Sequence, residues 1–242
     1  MQMKKIFYLI RLLMKKEFFS VVFTFLLLGL LVMLAIPFQS CDIDLKPCPD
    51  TCTTSTTDTI PPRVYKPNIY IHPIKKLSLD VNIFFPNGGT VVKSIPSYDQ
   101  GWHINVDTTG KINNAYDYLF YESDQPDGWQ YQTGWAMDRD SLKDFFSRNM
   151  AEYGFNSHEI DDFIEYWIPR LKSAKYYLIY PQEKEIIDKL IKVDFSLKPD
   201  NYLRLFYRVM ASDIKVKLQS HTRKSTFRKD GFYVTEWGVI LK

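Results

Sequence analysis

Hydrophobic and polar residues alternate with a period of two along much of the chain after about residue 66. The clearest example is residues 77–85, where apolar residues at odd positions are separated by mostly polar ones. This period indicates a β-strand with one buried face. Turn residues follow at 86–89, and residues 90–95 are expected to return as the second strand of a hairpin. Shorter alternating or aromatic segments predict further strands at residues 102–106, 116–121, 129–135, 176–180, 191–197, 203–209, 214–218 and 232–241.

The period changes to that of a helix in the middle of the chain. Apolar residues in 142–153 recur at helical spacing, and Gly154 is a natural helix stop. Asn156 and Glu159 then have the spacing of a capping box, which predicts the start of a second helix. Pro169 is expected to kink or end that helix, because proline lacks the amide donor and clashes with the preceding turn. The short link predicts an antiparallel helix pair.

Together these patterns predict an α+β fold that is mainly antiparallel β. We expect one or two sheets of about nine strands, with the helical hairpin inserted between them in the chain. The sequence contains no βαβ alternation and no internal repeat. A hydrophobic signal or anchor helix is expected to precede this fold at the N-terminus.

A run of 21 residues without a charge, residues 18–38, separates a basic leader from the rest of the chain. It is long enough to cross the hydrocarbon core of a bilayer as a helix. Five cationic residues precede it, and a basic segment followed by an apolar one is typical of a secretory signal. The cationic side stays in the cytoplasm, so residues after 41 are expected to face outward.

Two interpretations of this hydrophobic segment remain open. Residues 38–41, Phe-Gln-Ser-Cys, resemble the lipobox of bacterial lipoproteins, which implies cleavage before Cys41 and lipid attachment to its thiol. Phe38 and Gln39 depart from the usual residues of that box. In the second interpretation, the segment is retained as an uncleaved anchor helix. The expected partner in both cases is the membrane, reached through the lipid or through the anchor helix.

The remaining two cysteines, Cys48 and Cys52, are free to pair with each other if Cys41 carries the lipid. Thiols outside the cytoplasm oxidise, and the Pro-Asp pair between these cysteines favours a turn. We therefore expect a structural disulfide or two idle thiols. A zinc site is disfavoured, because two cysteines without a nearby histidine do not supply four ligands.

The segment around these cysteines, residues 41–65, is rich in Thr, Ser and Pro, which is typical of an extended tether. The chain is therefore expected to have three parts. Residues 1–40 form a lipoprotein signal peptide or membrane anchor, residues 41–65 the tether, and residues 66–242 the α+β domain.

The net charge of +3 belongs to the leader rather than to the exported part. Residues 1–40 contain five cationic residues and one acidic residue, so the rest of the chain carries a charge of −1. The overall charge therefore gives no argument for binding to nucleic acid, and no nucleic-acid partner is expected.

Several segments of the folded part carry a recognisable pattern. They are Lys-Pro-Asn-Ile-Tyr-Ile-His-Pro at 66–73, Asp-Tyr-Leu-Phe-Tyr-Glu at 117–122, Phe-Ile-Glu-Tyr-Trp-Ile-Pro-Arg at 163–170, Lys-Pro-Asp at 198–200 and Glu-Trp-Gly at 236–238. Over about residues 66–238 the chain resembles a family of bacterial envelope and secreted proteins with no assigned activity. His72 and Tyr121 depart from the Tyr and Trp usual in that family. The resemblance implies an envelope domain, and no catalytic role transfers from the family through these segments.

Carboxylates are the best candidates for catalysis that the sequence offers. Asp117 and Glu122 flank an aromatic strand, and Glu236 precedes Trp237. Paired acids beside aromatic rings suit glycoside hydrolysis, in which one acts as acid and the other as nucleophile or base. Their other interpretation is that they lie on the solvated face of a strand. The four histidines lack the spacing of metal ligands, so no metal and no cofactor is expected.

The aromatic content, 16% of the chain, also has two interpretations. Aromatic residues could line a groove for a sugar or peptide, or they could form the core of the sheets. The basic run at 221–229 is similarly either a contact for anionic envelope polymers or a solvated loop. The aromatic residues put forward for binding are Tyr118, Tyr121, Trp129, Trp135 and Trp237.

The sequence therefore favours a membrane-anchored lipoprotein of the bacterial cell envelope, with its folded domain outside the cytoplasm. Its expected role is that of a non-catalytic binding or structural module, because an anchor and a tether occur without a recognisable catalytic motif. An envelope glycan or another envelope protein is the expected partner besides the membrane. The alternative is a hydrolase of envelope glycans that uses the paired carboxylates.

Overall fold

The computed structural model describes residues 62–224 and 226–241. The predicted signal or anchor, the lipid site at Cys41 and the pair Cys48 and Cys52 lie outside the described residues. Ten strands and three α-helices form the described part, so the mixed α+β, mostly β character is confirmed. Among the described residues, no helix combines the length and apolar character needed to span a bilayer.

The strands are short to medium in length, and the first begins at Arg63, within the segment predicted as tether. The three helices are α1 (Leu142–Tyr153), α2 (Ser157–Trp167) and α3 (Lys184–Leu190). The strands are β1 (Arg63–His72), β2 (Leu77–Phe84), β3 (Thr90–Ile95), β4 (Trp102–Val106), β5 (Leu119–Asp124), β6 (Trp135–Asp138), β7 (Tyr176–Glu183), β8 (Lys192–Phe195), β9 (Asn201–Ser212) and β10 (Tyr233–Leu241).

Seven strands form a large sheet in the order β3-β5-β1-β10-β9-β7-β6, and three form a small sheet in the order β4-β2-β8. All the strand pairs of the described residues are antiparallel except β9 and β10, which run parallel. Between these two parallel strands, the described residues 213–224 and 226–232 form no helix and no strand. The sheet is therefore mixed at its centre.

The large sheet is covered on both faces. On one face, which we call the helix side, α1 and α2 pack through Phe146 and Phe163 onto Tyr207 and Trp237 of the central strands. On the other, the small-sheet side, the small sheet and α3 cover alternate residues of the same strands, such as Phe206. Because side chains alternate along a strand, every central strand contributes to two separate cores.

The helical hairpin follows the predicted local rules. Gly154 ends α1 with a φ of 115°, a left-handed conformation that glycine adopts without steric cost. Asn156 caps α2, and Glu159 completes the capping box by accepting a hydrogen bond from the Asn156 amide. α2 ends at Trp167, two residues before Pro169, as expected from the missing proline donor.

The predicted hairpin between residues 77–85 and 90–95 is wrong. β2 pairs with β4 and β8 in the small sheet, whereas β3 pairs with β5 at the edge of the large sheet. The turn at residues 86–89 therefore carries the chain from one sheet to the other. Turn residues specify a reversal of the chain but not which edge the next strand joins, and β2 already has a neighbour on each side.

Three other local predictions differ from the structure. Residues 129–134 do not form the predicted strand, since β6 begins only at Trp135. Residues 214–218 do not form a strand, and Ile214 is 69% exposed. Residues 184–190, for which the sequence predicted no element, form α3, which buries Ile187 and Leu190. A seven-residue helix is too short for a clear helical period, and the alternation at 214–218 is not matched by any burial.

Candidate functional site

Lys66 has an unusual backbone conformation in the middle of β1. Its φ is 54°, although it is neither glycine nor asparagine, and proline follows it. The pairing of β1 with both β5 and β10 shifts register at this point, so Lys66 lies at a β-bulge. Left-handed conformations cost a residue with a Cβ about 1–2 kcal/mol. Strain of this kind is often found where a side chain has a function.

The bulge directs the Lys66 ammonium into a cluster of aromatic rings. Nζ lies 4.6 Å from the centre of the Tyr118 ring, 4.7 Å from that of Phe120 and 5.4 Å from that of Tyr166. These distances are typical of cation–π contacts. Nζ also donates hydrogen bonds to the Tyr118 hydroxyl at 3.0 Å and to Asn68 Oδ1 at 3.3 Å.

A chain of hydrogen bonds connects this lysine to helix α2. The buried Asn68 donates from Nδ2 to the Tyr70 hydroxyl at 3.3 Å, and Tyr70 donates to Asp162 Oδ2 of α2 at 2.8 Å. Burial, together with Asp162, raises the pKa of Tyr70 well above its ordinary value, so its hydroxyl remains a donor. Lys66 is therefore held by β1, β5 and α2 together.

Lys66 and the three aromatic rings around it line an open groove of about 310 Å³ beside the β3–β5 edge. Lys93 contributes a second ammonium, whose Nζ lies 5.6 Å from the Phe120 ring, and Ile95 forms an exposed apolar rim. We call this site the lysine–tyrosine groove. Its lining residues are Lys66, Lys93, Ile95, Ala115, Tyr116, Asp117, Tyr118, Phe120 and Tyr166.

The charges of the lysine–tyrosine groove favour an anionic ligand. Both lysines face an aromatic floor rather than a buried carboxylate. The acid in the lining, Asp117, is exposed and already forms an ion pair with Lys111 at 2.9 Å. Outside the lining, the Arg170 guanidinium stacks on the Tyr166 ring at 3.7 Å. The groove thus combines apolar ring faces with positive charge.

The three acids proposed for catalysis do not come together. Asp117 lies at the exposed rim of the groove, and Glu122 lies on the helix side of β5, opposite Lys93 in the strand register. Glu236 points to the small-sheet side, is fully buried and forms an ion pair with Arg204. The large sheet therefore separates Glu236 from the other two acids.

The five aromatic residues put forward for binding divide between core and surface. Tyr118 lines the lysine–tyrosine groove. Tyr121, Trp129 and Trp237 are at most 5% exposed and belong to the two cores. Trp135 is half-buried and lines a separate cleft beside α1, where its ring lies 5.5 Å from that of His221.

The basic run at 221–229 is attached to the sheet by its first residues. His221 Nε2 lies 2.9 Å from Glu183 Oε1, and His221 Nδ1 lies 2.9 Å from Thr133 Oγ1. The Lys224 amide also donates to Glu183, at 3.2 Å. Glu183 is 4% exposed, so a buried carboxylate holds this irregular segment in place. The side chains of Arg223 and Arg228 are exposed.

Each histidine contacts a single carboxylate rather than a shared metal position. His72 pairs with Glu159, for example, and His103 with Asp80. No group of three or more His, Cys, Asp and Glu residues within 62–224 and 226–241 is arranged to hold a metal ion.

The residues that define the groove were mostly absent from the sequence-based candidates. Lys66 and Tyr166 occur in segments that resemble the envelope family, but no spacing rule relates a lysine in one strand to a tyrosine a hundred residues later. For Lys93 the sequence predicts only a place in a strand. Comparison of the chain with family profiles, with curated proteins and with solved structures gave no match.

Proposed function

We propose that the protein is a membrane-anchored lipoprotein of the bacterial cell envelope that binds an acidic glycan in the lysine–tyrosine groove. The observation that carries this proposal is the pair of lysine ammonium groups above a floor of aromatic rings. The anchoring rests on the sequence of residues 1–41, and the binding role rests on the groove.

The chemistry of the groove fits a sugar with a negative charge. Aromatic rings present flat apolar faces, on which the C–H face of a sugar ring packs, as aromatic side chains do with other apolar partners. Lysine ammonium groups pair with carboxylate or phosphate as mobile point charges. A glycan that carries uronic acid or phosphate groups offers both features.

Three observations support a binding rather than a catalytic role. Asp117 and Glu122 are the acids close to the groove, and Asp117 is paired with Lys111. Glu236, the third candidate, is buried on the opposite face of the sheet. Five lining residues lie in the segments by which the chain resembles an envelope family: Lys66, Asp117, Tyr118, Phe120 and Tyr166.

The test is a binding titration of the full chain in detergent with an oligouronate and with its neutral, carboxyl-reduced counterpart. We expect K66Q and K93Q each to weaken oligouronate binding, K66Q by about tenfold or more, since a charged hydrogen-bonding group contributes about 1.5–3 kcal/mol. K143Q, a change of the exposed Lys143 on α1, is the matched control and should bind like the wild type.

Equal affinity for the neutral sugar, or unchanged binding by K66Q, would contradict the proposed role. The same samples distinguish the hydrolase alternative. If the oligouronate is shortened during incubation, and D117N or E122Q prevents this, then the groove is an active site and the non-catalytic role is wrong.

A further inference from the structure

Two arginines on β9 are equally buried and lie on the same side of the sheet, but they differ in their hydrogen-bond acceptors. Arg204 and Arg208 lie four residues apart, so both point to the small-sheet side, and each is 1% exposed. Arg204 donates to both carboxylate oxygens of Glu236, to Asp188 Oδ1 at 2.8 Å and to the Ile191 carbonyl. Every nitrogen of its guanidinium therefore has an acceptor.

Arg208 has no comparable set of acceptors. Its Nε and Nη1 make no hydrogen bond with any residue of the described ranges 62–224 and 226–241. Its closest acid is Asp127, whose Oδ2 lies 3.7 Å from Nη2, beyond hydrogen-bond distance. A buried charge without hydrogen-bond acceptors is one of the most costly arrangements in a protein. The unpaired N–H donors of the Arg208 guanidinium therefore need an explanation.

The residues above Arg208 form a cover that side-chain motion can open. The Tyr131 ring lies 4.3 Å from the guanidinium carbon, and the Tyr131 hydroxyl donates to Asp127 Oδ2 at 2.5 Å. Tyr131 is 38% exposed, so it separates Arg208 from solvent by a single ring. Trp129, in the same loop, also has a buried Nε1 without an acceptor among the described residues.

The loop that carries this cover is itself firmly attached. Gln182 of β7 accepts from the Gln130 amide at 2.8 Å and donates to the Gln130 carbonyl at 3.0 Å. Opening therefore requires rotation of Tyr131 and Asp127, not detachment of the loop. The position of Asp127 shows that a carboxylate reaches the edge of the site from the solvent side.

We propose that Arg208 is the receptor of a second ligand site, which binds a small carboxylate beneath Tyr131. The incoming carboxylate displaces Asp127, accepts from Nε and Nη2 of Arg208, the same pair of donors with which Arg204 holds Glu236, and takes over the Tyr131 hydroxyl. Charged hydrogen bonds between guanidinium and carboxylate are short and strong. This site lies on the face of the large sheet opposite to the lysine–tyrosine groove and does not depend on it.

The probe is sodium acetate, titrated into the full chain in detergent while the thermal unfolding temperature Tm is recorded. The Tm of the wild type should rise as acetate occupies the site, by roughly 3–6 °C at an acetate concentration about ten times Kd. R208M removes the guanidinium but keeps an unbranched side chain in the same space. It should lose the acetate response and unfold no lower than the wild type in acetate-free buffer, because an unpaired buried charge is gone.

D127N provides a second test of the acetate response. The substitution is at a surface position, where failure to fold is not a concern. Asparagine no longer repels an anion or competes for Arg208, so the acetate response should appear at several-fold lower concentration than in the wild type. A response shared by R208M would be a general salt effect and would overturn the site. The absence of any acetate response in both wild type and D127N would mean that Arg208 is hydrated by water alone, which also overturns it.

Discussion

The carboxylate of Glu236 and the guanidinium of Arg204 form an ion pair that is wholly buried, with Nε 2.6 Å from Oε2. The pair joins the neighbouring strands β9 and β10. The hydroxyl of Tyr121, on β5, donates to the same carboxylate at 2.8 Å, and that of Tyr202 also donates to it. Asp188 of α3 accepts from the other side of the guanidinium. A residue that the sequence offered as a catalytic acid thus has a structural role in the centre of the fold.

Breaking this pair should destabilise the domain strongly. We expect E236Q to lower the free energy of unfolding by about 3–5 kcal/mol, since it removes the fully buried counter-ion of Arg204 and leaves that charge only the partly exposed Asp188. Urea unfolding of the full chain, followed by tryptophan fluorescence, measures the change. The exposed acid Asp117 provides the control, because D117N loses only a surface ion pair and should cost less than about 1 kcal/mol.

The double variant R204M/E236L separates the charge penalty from other effects of substitution. It removes both charges, so its cost should be smaller than the sum of the two single changes. Additive costs would mean that the pair is not coupled, and the ion pair would then not be what stabilises this layer.

Buried tyrosines should make the fold sensitive to alkaline pH. Burial raises the pKa of Tyr207 well above its ordinary value near 10, and burial with the neighbouring Glu236 does the same for Tyr121. A raised pKa means that the folded state keeps the proton while the unfolded state releases it. The stabilising contribution is therefore complete below about pH 10 and is lost as pH rises above it.

The measurement is an alkaline titration that follows tyrosinate absorbance and unfolding in the same sample. We expect part of the tyrosinate signal to appear only as the protein unfolds, with stability falling by up to about 1.4 kcal/mol per pH unit for each buried tyrosine. Y207F should reduce the part released on unfolding. Complete ionisation near pH 10 in a protein that stays folded would show that these hydroxyls are accessible to solvent.

Local features of the fold were predictable because short-range chemistry determines them. Gly154 and the capping box of Asn156 and Glu159 define both ends of the helical hairpin, whatever the rest of the chain does. The sequence does not show that Glu159 is also fully buried, accepting from Thr235 Oγ1 at 2.6 Å and contacting His72 Nε2 at 2.7 Å. Those contacts depend on how α2 packs on β1 and β10.

Charged residues in the strands were the main source of error. Arg204 and Arg208 alternate with apolar residues, a pattern typical of a strand with one solvated face. In the structure the small sheet, α3 and the loop before β6 cover that face as well. Alternation reports that two faces differ, but not that one of them is wet. The lysine–tyrosine groove was equally unpredictable from the sequence, since it depends on a bulge at Lys66 and on the packing of α2.

Processing at the N-terminus gives a prediction that does not depend on the fold. If Cys41 is the lipidated residue, the intact mass of the membrane-extracted protein should correspond to loss of residues 1–40 and addition of acyl groups. C41S should remain unprocessed, with the full mass of the chain. A wild-type protein of unmodified full-length mass would contradict lipidation and favour the retained anchor helix.

The backbone of Lys66 allows its strain to be measured apart from its charge. K66A and K66G both remove the ammonium and its aromatic contacts, but only alanine keeps a Cβ at a φ of 54°. Glycine adopts this conformation freely, so K66G should be more stable than K66A by about 1 kcal/mol, the reverse of their usual order in a strand. Urea unfolding of the two variants measures this difference. If K66A is the more stable, the bulge does not hold residue 66 in the left-handed region, and the ammonium would not be fixed above the rings of Tyr118 and Phe120.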